Sequence, residues 1–225
     1  MLTMMRRLDL LLRGGEGDSS HVSELPVALS LKMTLALGGI YGACMGLFAL
    51  SGSGAIGFFQ VCASSVKLPA LFLLTLLVAF PALYVFSALS GSPLRFIAVL
   101  RLLLASIVVM TAVSASFAPI LAFFTLSTSS YPFVVLLNVV LLGTAGIIGL
   151  RFLRRLLLLL LAVEARASLG IFRIWLVIFG LVGAQMGWLL RPFIGRPGLA
   201  FSAFRPRGGS FFQAVFEHFI RLFGA

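Results

Sequence analysis

Apolar residues fill this chain in long runs, broken by short patches of glycine, serine, proline and arginine. A membrane helix needs about 20 predominantly apolar residues to cross a hydrocarbon core of about 30 Å. The pattern predicts five such spans, near 27–50, 69–89, 102–126, 132–150 and 174–190. Leu156 to Val163 is apolar too, but too short to recross, and reads as an extension of the fourth helix past the headgroups.

The breaks between runs read as connections. Ser51 to Lys67 is rich in glycine and serine, Ser90-Gly91-Ser92-Pro93 is a tight turn, and Ser127 to Tyr131 is short and uncharged. Pro69 suits a first helical turn, whereas Pro81 and Pro119 should bend the spans that contain them. Residues 1–13 read either as an amphipathic helix, with Met1, Met4 and Leu8 at helical spacing, or as a frayed tail, and a polar linker follows to residue 26. At the other end, 191–225 divides into an Arg/Pro/Phe-rich loop and a final helix. Ser210-Phe211-Phe212-Gln213 is a capping-box signature for that helix. Phe212, Val215, Phe216, Phe219 and Phe223 share one of its sides, and Gln213, Glu217 and Arg221 the other. The expected fold is an all-α polytopic membrane helix bundle of about five transmembrane helices, with amphipathic interfacial helices at both termini.

Composition reinforces this. The chain is 61% hydrophobic and 10% charged, with mean hydropathy +1.17. A soluble fold of this size could not bury so much apolar surface. The net charge of +11 would suit nucleic acid, but the basic residues sit at the edges of apolar runs, where cations anchor helices, so no nucleic-acid partner is expected. Cys44 and Cys62 make no CxxC site, and the apolar stretch after Arg6-Arg7 is too short for a signal peptide.

Charge also orients the spans. With a cytoplasmic N-terminus, Arg6, Arg7, Arg13 and Lys32 lie inside, as do Arg95, Arg101, Arg151, Arg154, Arg155, Arg166 and Arg173. The two outer loops then hold only Lys67. Arg191, Arg196, Arg205, Arg207 and Arg221 break the pattern by falling outside. The expected location is an integral membrane setting, the inner (cytoplasmic) membrane of a bacterium.

Small residues mark packing faces. Gly38, Gly42 and Gly46 recur every fourth position in the first span, and Gly180, Ala184 and Gly187 give the fifth a similar face. Both suit packing inside the protein or in a homo- or hetero-oligomer. Trp175 and Trp188, just inside Arg173 and Arg191, fit interfacial anchors. In the tail, Arg191, Arg196, Arg205 and Arg207 alternate with phenylalanines, a pattern suited to anionic lipid headgroups at the bilayer surface or to a partner protein.

Chemistry is sparse. The mid-sections of the five spans carry no Asp, Glu, His, Lys or Arg, although ion-coupled transport usually uses such a group. Asn138, Gln185 and the hydroxyls of Ser106, Thr111, Ser114 and Ser116 remain, each able to bond a helix carbonyl or a neighbouring helix. His21 and His218 lack a partnered nucleophile and carboxylate, and neither HExxH nor GxSxG occurs. Gly52-Ser53-Gly54-Ala55-Ile56-Gly57 matches a dinucleotide fingerprint only in letters, because a membrane helix precedes it instead of a strand. No enzyme activity, cofactor or metal is expected.

The run Leu89-Ser90-Gly91-Ser92-Pro93-Leu94-Arg95-Phe96-Ile97-Ala98-Val99-Leu100 resembles a stretch of the Yip-family membrane proteins, between their second and third spans. Five spans and a cytoplasmic N-terminal tail resemble that family as well. The proline often found partway along its third span appears here only late, at Pro119, and the Arg/Pro/Phe tail has no counterpart. The resemblance implies a non-enzymatic role in membrane organisation or trafficking. Two functions are therefore expected: a non-catalytic scaffold or accessory subunit, or a channel or transporter-like protein for a neutral or lipidic solute.

Overall fold

The computed structural model describes residues 26–50, 55–89, 96–160, 169–195, 202, 204 and 209–223. The expected N-terminal helix and linker, the Ser90–Pro93 turn and half of the Yip-like run lie outside the described residues, as do Arg196, Arg205 and Arg207. The described residues form six α-helices: α1 Val27–Gly46, α2 Ala55–Leu89, α3 Phe96–Ser127, α4 Tyr131–Leu160, α5 Leu169–Leu189 and α6 Phe211–Phe223. A 3-10 turn, Leu47–Ala49, extends α1. No strand occurs among the described residues, and the fold is an all-α membrane helix bundle. Among the described residues four helices are long and apolar enough to cross a membrane, and Arg173–Leu189 is a shorter apolar helix.

The largest departure from the sequence reading is α2. It begins at Ala55, fourteen residues before the expected Pro69, so most of Ser51–Lys67 is helix instead of loop. Its small residues do not make a turn. They let α2 lie against α1: a Cβ on Gly57 would meet the Ala49 carbonyl oxygen at 2.7 Å, and Ser65 donates its hydroxyl to the Val61 carbonyl at 2.9 Å. Pro69 consequently lies inside the helix, as Pro81 does. The third helix also starts early, at Phe96, and α4 runs unbroken through the arginines at 151, 154 and 155 to Leu160.

The helices follow one another up and down. Gly38, Gly42 and Gly46 face Pro69, Ser64–Ser65 and Gln60–Val61 of α2 in turn, which fixes α1 and α2 as an antiparallel hairpin. A Cβ on Gly42 would lie 2.9 Å from the Ser65 Cα, and one on Gly46 2.5 Å from the Val61 Cα. Only glycine permits that approach. The other side of α1 packs along α3, α3 carries α4, and α2 carries α5. α3 is the central helix, with 61% of its apolar window buried against 22% for α4. Leu103, Ala105, Ile107 and Val108 on α3 have no exposed surface.

Several polar groups of α3 find backbone partners, as a medium without water favours. Ser106, Thr111 and Ser114 donate to the carbonyls of Leu103, Ile107 and Met110 of their own helix. Trp175 departs from its expected interfacial position. It is 0% exposed, stacks near Phe179 at 5.3 Å, and its indole N–H donates to the Ala79 carbonyl at 3.1 Å. Through this bond the tryptophan joins α5 to α2 instead of facing headgroups.

Two kinds of glycine should respond oppositely to an added methyl group. Gly42→Ala should lower the stability of the detergent-solubilised protein by about 1–3 kcal/mol through overpacking. Gly146→Ala, whose Cβ would meet nothing within 4 Å, should leave it unchanged or raise it by about 0.5–1 kcal/mol. Thermal unfolding of both variants checks this, and equal losses would contradict the seam.

Candidate functional site

The helix order α4–α3–α1–α2–α5 forms an open ring, because α4 and α5 meet only marginally. Between them lies a cavity of about 640 Å³, within the usual range for small-molecule sites of about 300–1,000 Å³. It exists because both flanking helices present small residues. Gly143 and Gly146 come from α4, and Gly180, Gly183, Ala184 and Gly187 from α5. A Cβ at Gly143 or Gly146 would meet only open space. Leu150, Ile147 and Phe179 line the deeper part, Leu71 and Thr75 of α2 form its back wall, and Met110 of α3 reaches it. Thr75 turns its hydroxyl to its own helix, at the Leu71 carbonyl, 2.7 Å away.

Asn138 is the polar group of the α4 wall. It is 3% exposed, accepts the Tyr41 hydroxyl at 3.2 Å and donates its amide to the Val134 carbonyl at 2.9 Å. Both bonds hold it to the protein, so it ties α1 to α4 at the cavity edge. The hydroxyls of α3 do not line the cavity.

The opposite end is capped by α6 and the chain after α5. Ser210 caps α6 through the Gln213 backbone N–H at 3.3 Å, and the Gln213 amide donates to Glu217 at 3.3 Å. Phe211, Ala214, Val215 and His218 turn inward, and the His218 ring lies 5.6 Å from Tyr131 of α4. Phe212, Phe216, Phe219 and Ile220 point outward and are more than half exposed. Arg191, Glu217 and Arg221 also line the cavity here. The Arg191 guanidinium stacks over Trp188, 3.4 Å from the ring centroid, and the Trp188 indole donates to the Gly209 carbonyl at 3.1 Å.

A polar cluster on α2 fastens the segment beyond α5. Gln60 donates to the carbonyls of Pro192 (3.0 Å) and Phe193 (3.1 Å), Ser64 donates to Phe193, and Lys67 donates to Pro192 at 3.0 Å. Carbonyls after a helix end have lost their helical donors and need others. The sequence reading put Lys67 in an outer loop and no ionisable group in the mid-section of a span. The helix carries Lys67 inside its apolar segment, only 8% exposed, with Phe204 5.0 Å from its ammonium. The misplacement followed from taking Ser64 and Ser65 as turn residues.

Of the residues singled out from sequence, Gly38, Gly42 and Gly46 lie at the α1–α2 contact, away from the cavity, while Gly180, Ala184 and Gly187 line it and Arg191 stands at its mouth. Sequence reasoning gave no site role to Gly143, Gly146, Arg221 or the Gln60–Ser64–Lys67 cluster. The i, i+4, i+7 spacing of that cluster was the available signal. No metal-holding group of three or more His, Cys, Asp or Glu occurs among the described residues. No family model, curated protein or solved structure matches the chain.

Replacing Lys67 with Met keeps the stem's length and removes its bond to the Pro192 carbonyl. A charged hydrogen bond of this kind contributes about 1.5–3 kcal/mol. Lys67→Met should therefore lower stability by that order and expose residues 190–195 to limited proteolysis. Wild-type protection of that segment in the variant would contradict the clamp.

Proposed function

We propose that the chain is a multi-pass membrane protein of five spans that accommodates a lipidic solute in the cleft between α4 and α5. The carrying observation is the cleft itself: a cavity of about 640 Å³ bordered on both sides by glycines, at the one place where the helix ring stays open. Helix faces stripped of side chains normally bring backbones together, as Gly42 and Gly46 do on α1. On α4 and α5 the same device leaves room instead. The neutral or lipidic solute expected from the sequence suits walls built from Leu71, Leu142, Ile147, Leu150 and Phe179.

A scaffold or accessory subunit is the second reading, favoured by the ridge of Phe212, Phe216, Phe219 and Ile220 on α6, with Phe216 64% exposed. The Yip-like resemblance would fit that reading. Photolabelling with an acyl-chain probe in proteoliposomes separates the two. Label should concentrate on α4 and α5 peptides and fall at least tenfold in Gly146→Leu combined with Gly183→Leu. A wild-type cleft that takes no label would overturn the lipidic reading and leave the ridge as the working surface.

Arginines on the α4–α5 side support an inward N-terminus for this five-span arrangement, and Arg173 to Leu189 would span about 25 Å. A reporter fused after Ala225 should be active only outside the cytoplasm. Cytoplasmic activity would reduce the count to four or raise it to six.

A further inference from the structure

The cleft has two chemically different ends. Its deep end is apolar, formed by Gly146, Ile147, Leu150, Phe179 and Gly180, with Leu150 Cδ1 3.8 Å from the position of a Gly180 Cβ. Its mouth collects the charged residues that line it among the described ones, Arg191, Glu217 and Arg221, beside His218 and Trp188. Between Phe179 and Leu189, where α5 ends just before Arg191, the helix advances about 15 Å at 1.5 Å per residue. That is close to half of a hydrocarbon core of about 30 Å, the depth of one leaflet.

The mouth is also electrically biased. Two guanidiniums stand against one carboxylate, and Glu217 already accepts the Gln213 amide at 3.3 Å. Arg191 is held in place, since its flat face lies on Trp188 and Trp188 is itself tied to the Gly209 carbonyl. Stacking through the face leaves the N–H donors of a guanidinium in its plane, the geometry that grips an oxyanion with two parallel bonds. A cationic headgroup such as choline would be repelled at this mouth. Basic pockets between membrane helices suit anionic headgroups.

We propose that the cleft binds one anionic phospholipid, drawn from the leaflet on the α6 side. Its acyl chain lies along the glycine-lined walls of α4 and α5, and its phosphate sits between Arg191 and Arg221. This rests on the lipidic reading of the cleft and adds the headgroup charge. α6 then helps build the site, bringing Arg221 and His218 to the rim of the mouth while its phenylalanine ridge meets the bilayer.

Native mass spectrometry of the full chain in detergent, titrated in parallel with phosphatidylglycerol and phosphatidylcholine, tests this. The wild-type protein should retain phosphatidylglycerol at least tenfold more tightly. Arg221→Gln, at an exposed position on α6, should reduce that preference about tenfold and leave phosphatidylcholine retention unchanged. Gly146→Leu combined with Gly183→Leu, checked for an unchanged melting temperature, should lose both lipids. Equal retention of the two lipids by the wild type, or an unaltered preference in Arg221→Gln, would overturn the headgroup assignment while the lipidic reading stands. Retention of both lipids by a folded, cleft-filled variant would overturn the lipidic reading as well.

Discussion

The backbone contact between α1 and α2 is the constraint from which the rest of the bundle follows. At Gly42 and Gly46 the two helices approach so closely that a single methyl group would collide with α2 main chain. Apolar side chains gain nothing by leaving lipid for protein, so close packing and internal hydrogen bonds must hold membrane helices together. The seam provides the packing at the centre. It sets α3 on one side of the hairpin and α5 on the other, and α4 packs mainly along α3. With that order the ring has two free ends, α4 and α5, and their glycines face a space.

Hydrogen bonds fix what packing alone would leave loose. Tyr41 to Asn138 ties α1 to α4, and Trp175 to Ala79 ties α5 to α2. Gln60, Ser64 and Lys67 fasten the chain leaving α5, so α6 is delivered back over Tyr131 and the mouth of the cleft. Each bond joins a polar side chain to an element distant in sequence. Together they hold both cleft walls to the central hairpin without closing one wall on the other.

Much of this was legible in the chain. Long apolar runs gave the helical class and the approximate place of each helix, and Ser210 with Gln213 marked the start of α6. The failures share one cause. Serine and glycine serve both turns and close helix contacts, and a linear reading cannot tell which, so Gly57, Ser64 and Ser65 were read as loop and Lys67 was placed with them. Trp175 misled for a related reason: an indole near an arginine suits an interface, but here the Ala79 carbonyl of α2 accepted its N–H. The cleft had no linear signature, because Gly143 and Gly146 look like any packing glycines until the helix order leaves them without a neighbour.

The central claim is that α4 and α5 are held apart around an occupied cleft. Cryo-electron microscopy of the full chain in nanodiscs containing anionic lipid tests it most directly. The expected map shows the two glycine faces separated, with an elongated density between them that ends beside Arg191. Glycine faces in direct contact, with Gly143 and Gly146 packed against Gly180 and Gly183 and no intervening density, would contradict it.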